Sequence, residues 1–299
     1  MTDYATLLRE LAVPRLVGTP NHRRVREVLK RELAARGYSV EEHEFSGRPS
    51  RVLFGTPSVV HGVNLIASRP SDRPTVRPSV WLVAHYDSKG QPISMALRLA
   101  GAAALAVGAA GVGFALAAGW PVLPALALAV LGAIVLAGNR VTDQSAGAVD
   151  NASALVGVLM LLDLLPAHVR AGAIFSDAEE LGLLGARALA ADRAAMLRDT
   201  AVVNFDGLDD RGKPAAFLHR PGPVGLAVAA ELGAARARWL PVLVDGIALV
   251  PTASECVTIM QGDWTTMRIV HTSRDTADRL TLAGARYVAE GVARALTTA

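Results

Sequence analysis

The chain has 299 residues, 52% of them hydrophobic and 19% charged, with 30 Lys and Arg against 27 Asp and Glu. A single cysteine, Cys256, excludes an intrachain disulfide and thiolate zinc sites, so any metal must be held by His and carboxylates. The net charge of +3, with no stripe of bases interleaved with aromatics, gives no footprint for nucleic acid.

The opening MTDYATLLRELAVPRL has an acid at position 3 and no uninterrupted apolar stretch, unlike a secretory signal. Residues 3–13 and 20–36 have the spacing of amphipathic helices, the second with Asn21 as its expected N-cap and Gly37 past its end. The dense charge patch HRRVREVLKRELAAR puts its acids and bases at helical spacing, as a solvated helix face does. Residues 38–45 alternate like a strand, and 62–68 and 79–87 are short apolar runs separated by a Pro-rich turn over 69–78.

The hydrophobic excess is local. From 99 to 139 there is no Asp, Glu, Lys, Arg or His. LAGAAALAVGAAGVGFALAAGW (99–120) and PVLPALALAVLGAIVLAGN (121–139) are uncharged runs of 22 and 19 residues. About 20 apolar residues cross a bilayer, so both qualify, the second barely. The prolines of GWPVLP make a turn, Trp120 suits a membrane interface, and the many Gly and Ala permit close helix contact. The expectation is a transmembrane two-helix hairpin at 95–139 inserted into one catalytic unit made of 1–94 and 140–299. The alternative is a soluble hairpin that covers a site or forms a dimer interface. Lys89, Arg98 and Arg140 flank the hairpin while its connecting turn is uncharged, which predicts a catalytic part on the cytoplasmic face of the cell membrane.

Beyond the insertion, 147–166 reads as a loop entering a helix that stops at Pro166, 171–177 as a buried strand and 178–190 as a helix. Strands are expected at 200–207, 214–220, 241–246, 256–260 and 267–272, and a helix closes the chain over 281–298. Alternating strands and helices predict an α/β fold with a mostly parallel sheet covered on both faces.

Chemistry-bearing residues fall at the ends of these apolar strands. His85 and Asp87 follow VWLVA, Glu179 and Glu180 follow AIFSDA, Asp206 follows VVNF and His271 follows MRIV; Asp150 sits in the loop GAVDN before a helix. In an open α/β sheet, ligands bind beyond the carboxyl ends of the strands. Two imidazoles and several carboxylates on one rim suit two zinc ions about 3.5–4 Å apart, and such ligands also admit cobalt or manganese. Of two adjacent glutamates, one can bind metal while the other serves as a general base.

The ordered series His-x-Asp, Asp-Asn, Glu-Glu, Asn-x-Asp and His-Thr, here AHYDS, GAVDNASA, SDAEELGLLGARA, VNFDG and HTSRDT, resembles the di-zinc aminopeptidases of metallopeptidase family 28. PRLVGTPNHRRVREVLKRELAARGYSVEEHEF is similar to the family's N-terminal helices and first strand. The resemblance implies a three-layer α/β/α sandwich around a mixed sheet, the zinc-dependent exopeptidase fold, and hydrolysis of peptides, as an aminopeptidase. It implies two zinc ions, one on His85 and Asp206, the other on Glu180 and His271, bridged by Asp150. Asp87 would orient the His85 ring, and Glu179 would be the general base for a metal-bridging hydroxide. Alternatives are a glutaminyl-cyclase-like acyl transferase with one zinc and a non-catalytic binding protein; the complete ligand set favours hydrolysis. TASECVTIM stands where many relatives carry a pocket-lining Ser-Asp-His, with Glu255 and Cys256 in place of the last two, so an altered substrate preference is expected. Cys256 is expected to be a small packed residue and Asp275 a hydrogen-bond acceptor within a loop.

Overall fold

The computed structural model describes residues 3–50, 54–70, 78–239 and 242–298. Most of the Pro-rich turn expected at 69–78 lies outside these residues. The chain begins with α1 (Tyr4–Leu11) and α2 (Pro20–Ala35). Thr19, not Asn21, caps α2: its hydroxyl accepts from His22 N, because Pro20 takes the first helical position, where its missing N–H is no loss. The strands β1 (Ser39–Gly47), β2 (Val60–Ser68) and β3 (Val80–His85) follow, then the inserted helices α3 (Met95–Ala118) and α4 (Leu123–Ala137). After these come α5 (Ser153–Leu164), β4 (Ala171–Ser176), α6 (Leu184–Asp192), α7 (Ala194–Leu197), β5 (Ala201–Leu208) and β6 (Lys213–Arg220). The chain closes with α8 (Pro223–Glu231), β7 (Ala235–Ala237), α9 (Asp245–Leu249), β8 (Glu255–Gly262), α10 (Trp264–Ile269) and α11 (Ala283–Thr298).

The eight strands form one mixed sheet in the order β1-β2-β4-β3-β5-β8-β6-β7. Its centre, β4-β3-β5-β8, is parallel, with Leu82 beside Ala173 and Val203 and Val203 beside Val257. Alternation along these strands divides the core. Val80, Leu82, Ala84, Val203 and Phe205 enter a large cluster with α2, α5 and α11. Trp81, Val83 and Val202 face the other way, against Leu189 and Leu249 of α6 and α9. The fold is therefore an α/β sandwich with helices on both faces of a mostly parallel sheet.

Two predicted strands are not strands. Residues 267–272 run through the end of α10 into a turn. Asp263 caps that helix in a reciprocal box with Thr266, and a local cap of this kind outweighs a short apolar run. In 241–246, among the described residues, Val244 is extended and Asp245 opens α9. The helix expected from 178 begins only at Leu184. Ala178, Gly182 and Leu183 all have positive φ (53°, 115° and 59°), so the segment holding Glu179 and Glu180 is a turn.

The inserted helices pack antiparallel. A Cβ on Gly108 would lie 2.4 Å from Ala129 N, and one on Gly132 would lie 2.4 Å from Leu105 N, so these glycines allow the backbones to meet. The insertion closes at its base through a two-way backbone pairing of Gly90 with Thr142 (2.6 and 2.8 Å). At 24 residues, α3 is long and apolar enough to cross a membrane. Its partner is shorter than the uncharged run suggested. The prolines at 121 and 124 and Gly138 confine α4 to 15 residues, about 22 Å, against a hydrocarbon core of roughly 30 Å.

Candidate metal centre

The carboxyl ends of β3, β4 and β5 open onto one rim. His85 ends β3 beside Ser176 of β4, and Asp206 lies near the end of β5. Asp150 comes from the loop before α5. Gly147 starts that loop at φ 55°, where a Cβ would lie 2.3 Å from Asp150 O. The Asp275 carboxylate takes Val149 N (2.7 Å) and Asp150 N (3.2 Å), and the buried Arg15 binds the carbonyls of Tyr86 (2.7 Å) and Gly147 (3.1 Å). Asp150 is thus presented by a backbone fixed from both sides. His271 reaches the rim from the turn after α10, with φ 65°. Like Asp150, it does not follow a strand.

His85, Asp150 and Asp206 place one ligand atom each within 4.8 Å of one another, and Asp150, Glu180 and His271 do the same. Asp150 belongs to both groups. His85 Nε2 is 3.0 Å from Asp150 Oδ1, and His271 Nε2 is 2.9 Å from Asp150 Oδ2 and 3.0 Å from Glu180 Oε1. All five side chains are buried. Asp150 Oδ1 and Glu180 Oε1 are inaccessible and, apart from the imidazole nitrogens that face them, have no donor among the described residues. An all-imidazole and carboxylate donor set with such oxygens fits two divalent cations.

The electrostatics agree. Burial, Glu180, Asp206 and Asp245 push the Glu179 carboxyl well above the usual range, against the opposing pull of His85. Burial and Asp150 do the same to Asp206. Although burial opposes it, His271 and Lys89 hold Glu180 at about 2, and the two imidazoles hold Asp150 well below its ordinary value. Carboxylates crowd here beyond what the protein's own cations neutralise.

A profile of peptidase family M28 matches residues 64–296. The chain belongs to this family. Its two ligand groups, joined at Asp150, are those of a binuclear zinc site, and the protein is a zinc metallopeptidase. A search of curated proteins returned no match. Among solved structures, the fold is similar to a glutaminyl cyclase from Porphyromonas gingivalis (TM-score 0.66, 19% identity, covering 99% of this chain and 96% of that one). It is also similar to an aminopeptidase from Aneurinibacillus sp. strain AM-1 (0.65, 13%, 99% and 93%). A zinc aminopeptidase from Bacillus subtilis gives 0.65 at 12%, covering 99% and 94%.

In this M28 site, the Asp87 carboxylate does more than face a ring. Its oxygens take Glu179 N (3.1 Å) and Glu180 N (3.2 Å), which pins the turn and sends the two glutamates different ways. His85 Nδ1 pairs with the backbone oxygen of Asp87 at 3.2 Å, and the carboxylate lies at 3.4 Å. Glu179 Oε2 is 4.0 Å from His85 Nε2, and among the described residues nothing donates to its carboxylate.

Three neighbours escape a motif reading. Lys89 Nζ sits 2.7 Å from Glu180 Oε2. Arg98, from the first turn of α3, places Nη2 2.5 Å from His271 Nδ1. Both are buried in the site, which leaves Arg140 alone of the three flanking cations free to bear on membrane orientation. The third is Asp245, which accepts from the Ser176 hydroxyl and is pushed up to about 6 by burial and by Asp87 and Glu180, against His85. The only hint of it was an acid ending the apolar stretch LVDG. Glu255 and Cys256, by contrast, lie at the start of β8, the end away from the rim. Glu255 binds Gly225 N and Cys256 packs in the core, so the replaced motif there does not touch the pocket.

Proposed function

We propose that this protein is a membrane-anchored aminopeptidase in which His85 and Asp206 hold one zinc, Glu180 and His271 the other, and Asp150 bridges them. The observation that carries this reading is a complete double ligand group beside a bare Glu179 carboxylate, with Asp150, Glu179, Glu180, Asp206 and His271 all lining one cavity. Held by these residues, two zinc ions would supply Lewis acidity for the scissile carbonyl and for the attacking water. Glu179, undistracted by other donors, takes the proton of the attacking water on its carboxylate and delivers it to the departing amine. Asp87 holds the backbone from which Glu179 projects. Lys89 fixes the second oxygen of Glu180, so that the carboxylate presents Oε1 alone.

Acyl transfer of the glutaminyl-cyclase kind is the second reading, favoured by the shared fold of the Porphyromonas gingivalis enzyme. The intact His85–Asp150–Asp206 group favours hydrolysis. Membrane anchoring is supported by α3, whose uncharged length is mostly exposed. Catalytic and inserted parts are read as 1–94 with 140–299 and as 95–139.

The test is hydrolysis of paired peptides, free or acetylated at the N-terminus, by detergent-purified protein supplied with zinc. Cleavage of the free-amine peptide alone, lost in Glu179→Ala, is expected. Cleavage of both, or cyclisation of an N-terminal glutamine without hydrolysis, overturns the aminopeptidase reading.

A further inference from the structure

The first inserted helix is part of the pocket. The cavity above the metal ligands has a volume of about 650 Å³, and α3 supplies Met95 and Leu99 to its wall. Met260 of β8, Phe217 of β6, and Met267 and Val270 at α10, which packs against α3, also line it. Lys213, Gln261 and Asp263 also line the cavity, but the stretch of wall formed by Met95, Leu99, Met267 and Val270 is apolar, and three of the lining side chains are methionines, which adapt to apolar groups of varied shape. Such a wall rejects a charged side chain by desolvation and accepts a large apolar one.

The surroundings of the cavity continue this character outward. Leu97 on the same turn of α3, Leu243 in the cavity lining and Trp264 at the start of α10 are 50%, 58% and 63% exposed. The helix that walls the pocket runs on from Leu99 as an uncharged, exposed apolar rod. Exposed Trp and Leu bordering such a rod are suited to the boundary of a bilayer and poorly suited to water. One continuous element therefore joins the reacting centre to the surface most compatible with lipid.

We propose that the substrates are apolar peptides lying in the lipid interface, which reach the metal centre along the first turns of α3, with Met95 and Leu99 receiving the N-terminal side chain. This rests on the aminopeptidase and membrane-anchor readings above. The insertion thus selects the substrate as well as tethering the enzyme.

The experiment uses the full chain in lipid nanodiscs, loaded with zinc. The probes are a soluble peptide with a free N-terminal Leu, the same peptide carrying a palmitoyl group on a C-terminal lysine, and both again with N-terminal Ser. The expected result is a KM at least tenfold lower for the tethered Leu peptide than for the soluble one, with kcat unchanged. The paired variant Met95→Gln with Leu99→Gln is expected to reduce the preference for Leu over Ser by at least tenfold, while zinc content stays at two per chain. The conservative Leu99→Ile is expected to keep that preference. Cleavage of soluble and tethered Leu peptides with equal KM overturns the delivery route and leaves the aminopeptidase reading standing. An undiminished Leu preference in the glutamine pair overturns the α3 wall. Cleavage of no free-amine peptide removes the aminopeptidase reading itself, and this proposal with it.

Discussion

Two largely apolar helices of this molecule, α5 and α3, differ in how far the protein itself covers them. In α5, ten of twelve residues are buried, between the sheet and α11; in α3, five of twenty-four are. A helix with no polar face must be covered by something. For α5 the cover is Leu82, Val203 and Val288, and the helix in turn supports the loop that presents Asp150. For α3, among the described residues, the protein provides α4 along one side and α10 with the catalytic rim at its foot. The difference shows that hydropathy alone says a helix needs a partner, whereas exposure in the fold shows whether the protein supplies it.

The sharpest way to break this comparison is to place the same charge in each helix. Leu159→Lys in α5 puts an unpaired ammonium into a fully buried position and is expected to cost more than about 4 kcal/mol, leaving no cooperative thermal transition. Leu116→Lys in α3, where Leu116 is 69% exposed, is expected to fold, bind zinc and release the protein from membranes into the aqueous fraction. Melting curves and fractionation read the two. A folded Leu159→Lys, or a Leu116→Lys that fails to fold, would reverse the contrast in cover.

Next in size is the metal centre that α5 supports. Asp150→Asn removes a ligand shared by both groups, and bound zinc is expected to fall from two ions to at most one, with activity down at least about 100-fold. Chelation of the wild type is expected to lower the melting temperature by roughly 8 °C, the equivalent of about 4 kcal/mol when metal had been a thousandfold above its Kd. Elemental analysis and calorimetry check both. Two ions retained by Asp150→Asn would remove the bridge.

The rim was legible from sequence because physics puts ligand sites at the ends of parallel strands, and His85 and Asp206 sit there. His271 was legible by motif although its segment is helical, since the cap made by Asp263 and Thr266 acts locally and says nothing about the turn beyond. The turn carrying Glu179 and Glu180 was misread as helix because it is held by the carboxylate of Asp87, some ninety residues away in the chain. Lys89, Arg98 and Asp245 were not legible as parts of the site. Each owes its place to a tertiary neighbour (Glu180, His271 and Ser176), and charge next to an apolar run reads equally well as a membrane flank.

A smaller effect tests the seam within the insertion. Gly108→Leu forces apart α3 and α4 where the backbones meet, and faster proteolysis near Trp120 in detergent is expected, with hydrolysis of a soluble peptide unchanged. An unaltered cleavage rate would mean that the contact with α4 does not hold α3 in place.

The smallest effect concerns the core on the α6 and α9 face of the sheet, where Cys256 packs beside Val202 and Leu249. Burial pushes its thiol up to about 12, with Arg220 opposing and Glu255 assisting. An exposed thiol titrates near 8.5, so the native thiol stays neutral where the unfolded one ionises. The sign follows. Below about pH 8.5 both states hold the proton and this contribution to stability is fully present; as pH rises from there toward 12, the unfolded chain gains by ionising and the contribution is lost. At pH 8 the native protein is therefore expected to resist alkylation by iodoacetamide, and denaturant is expected to restore a normal rate. The covered core and the uncovered α3 then differ in a directly measurable way. Fast native labelling would show that this face opens, and that only the face containing α5 is covered as the structure describes.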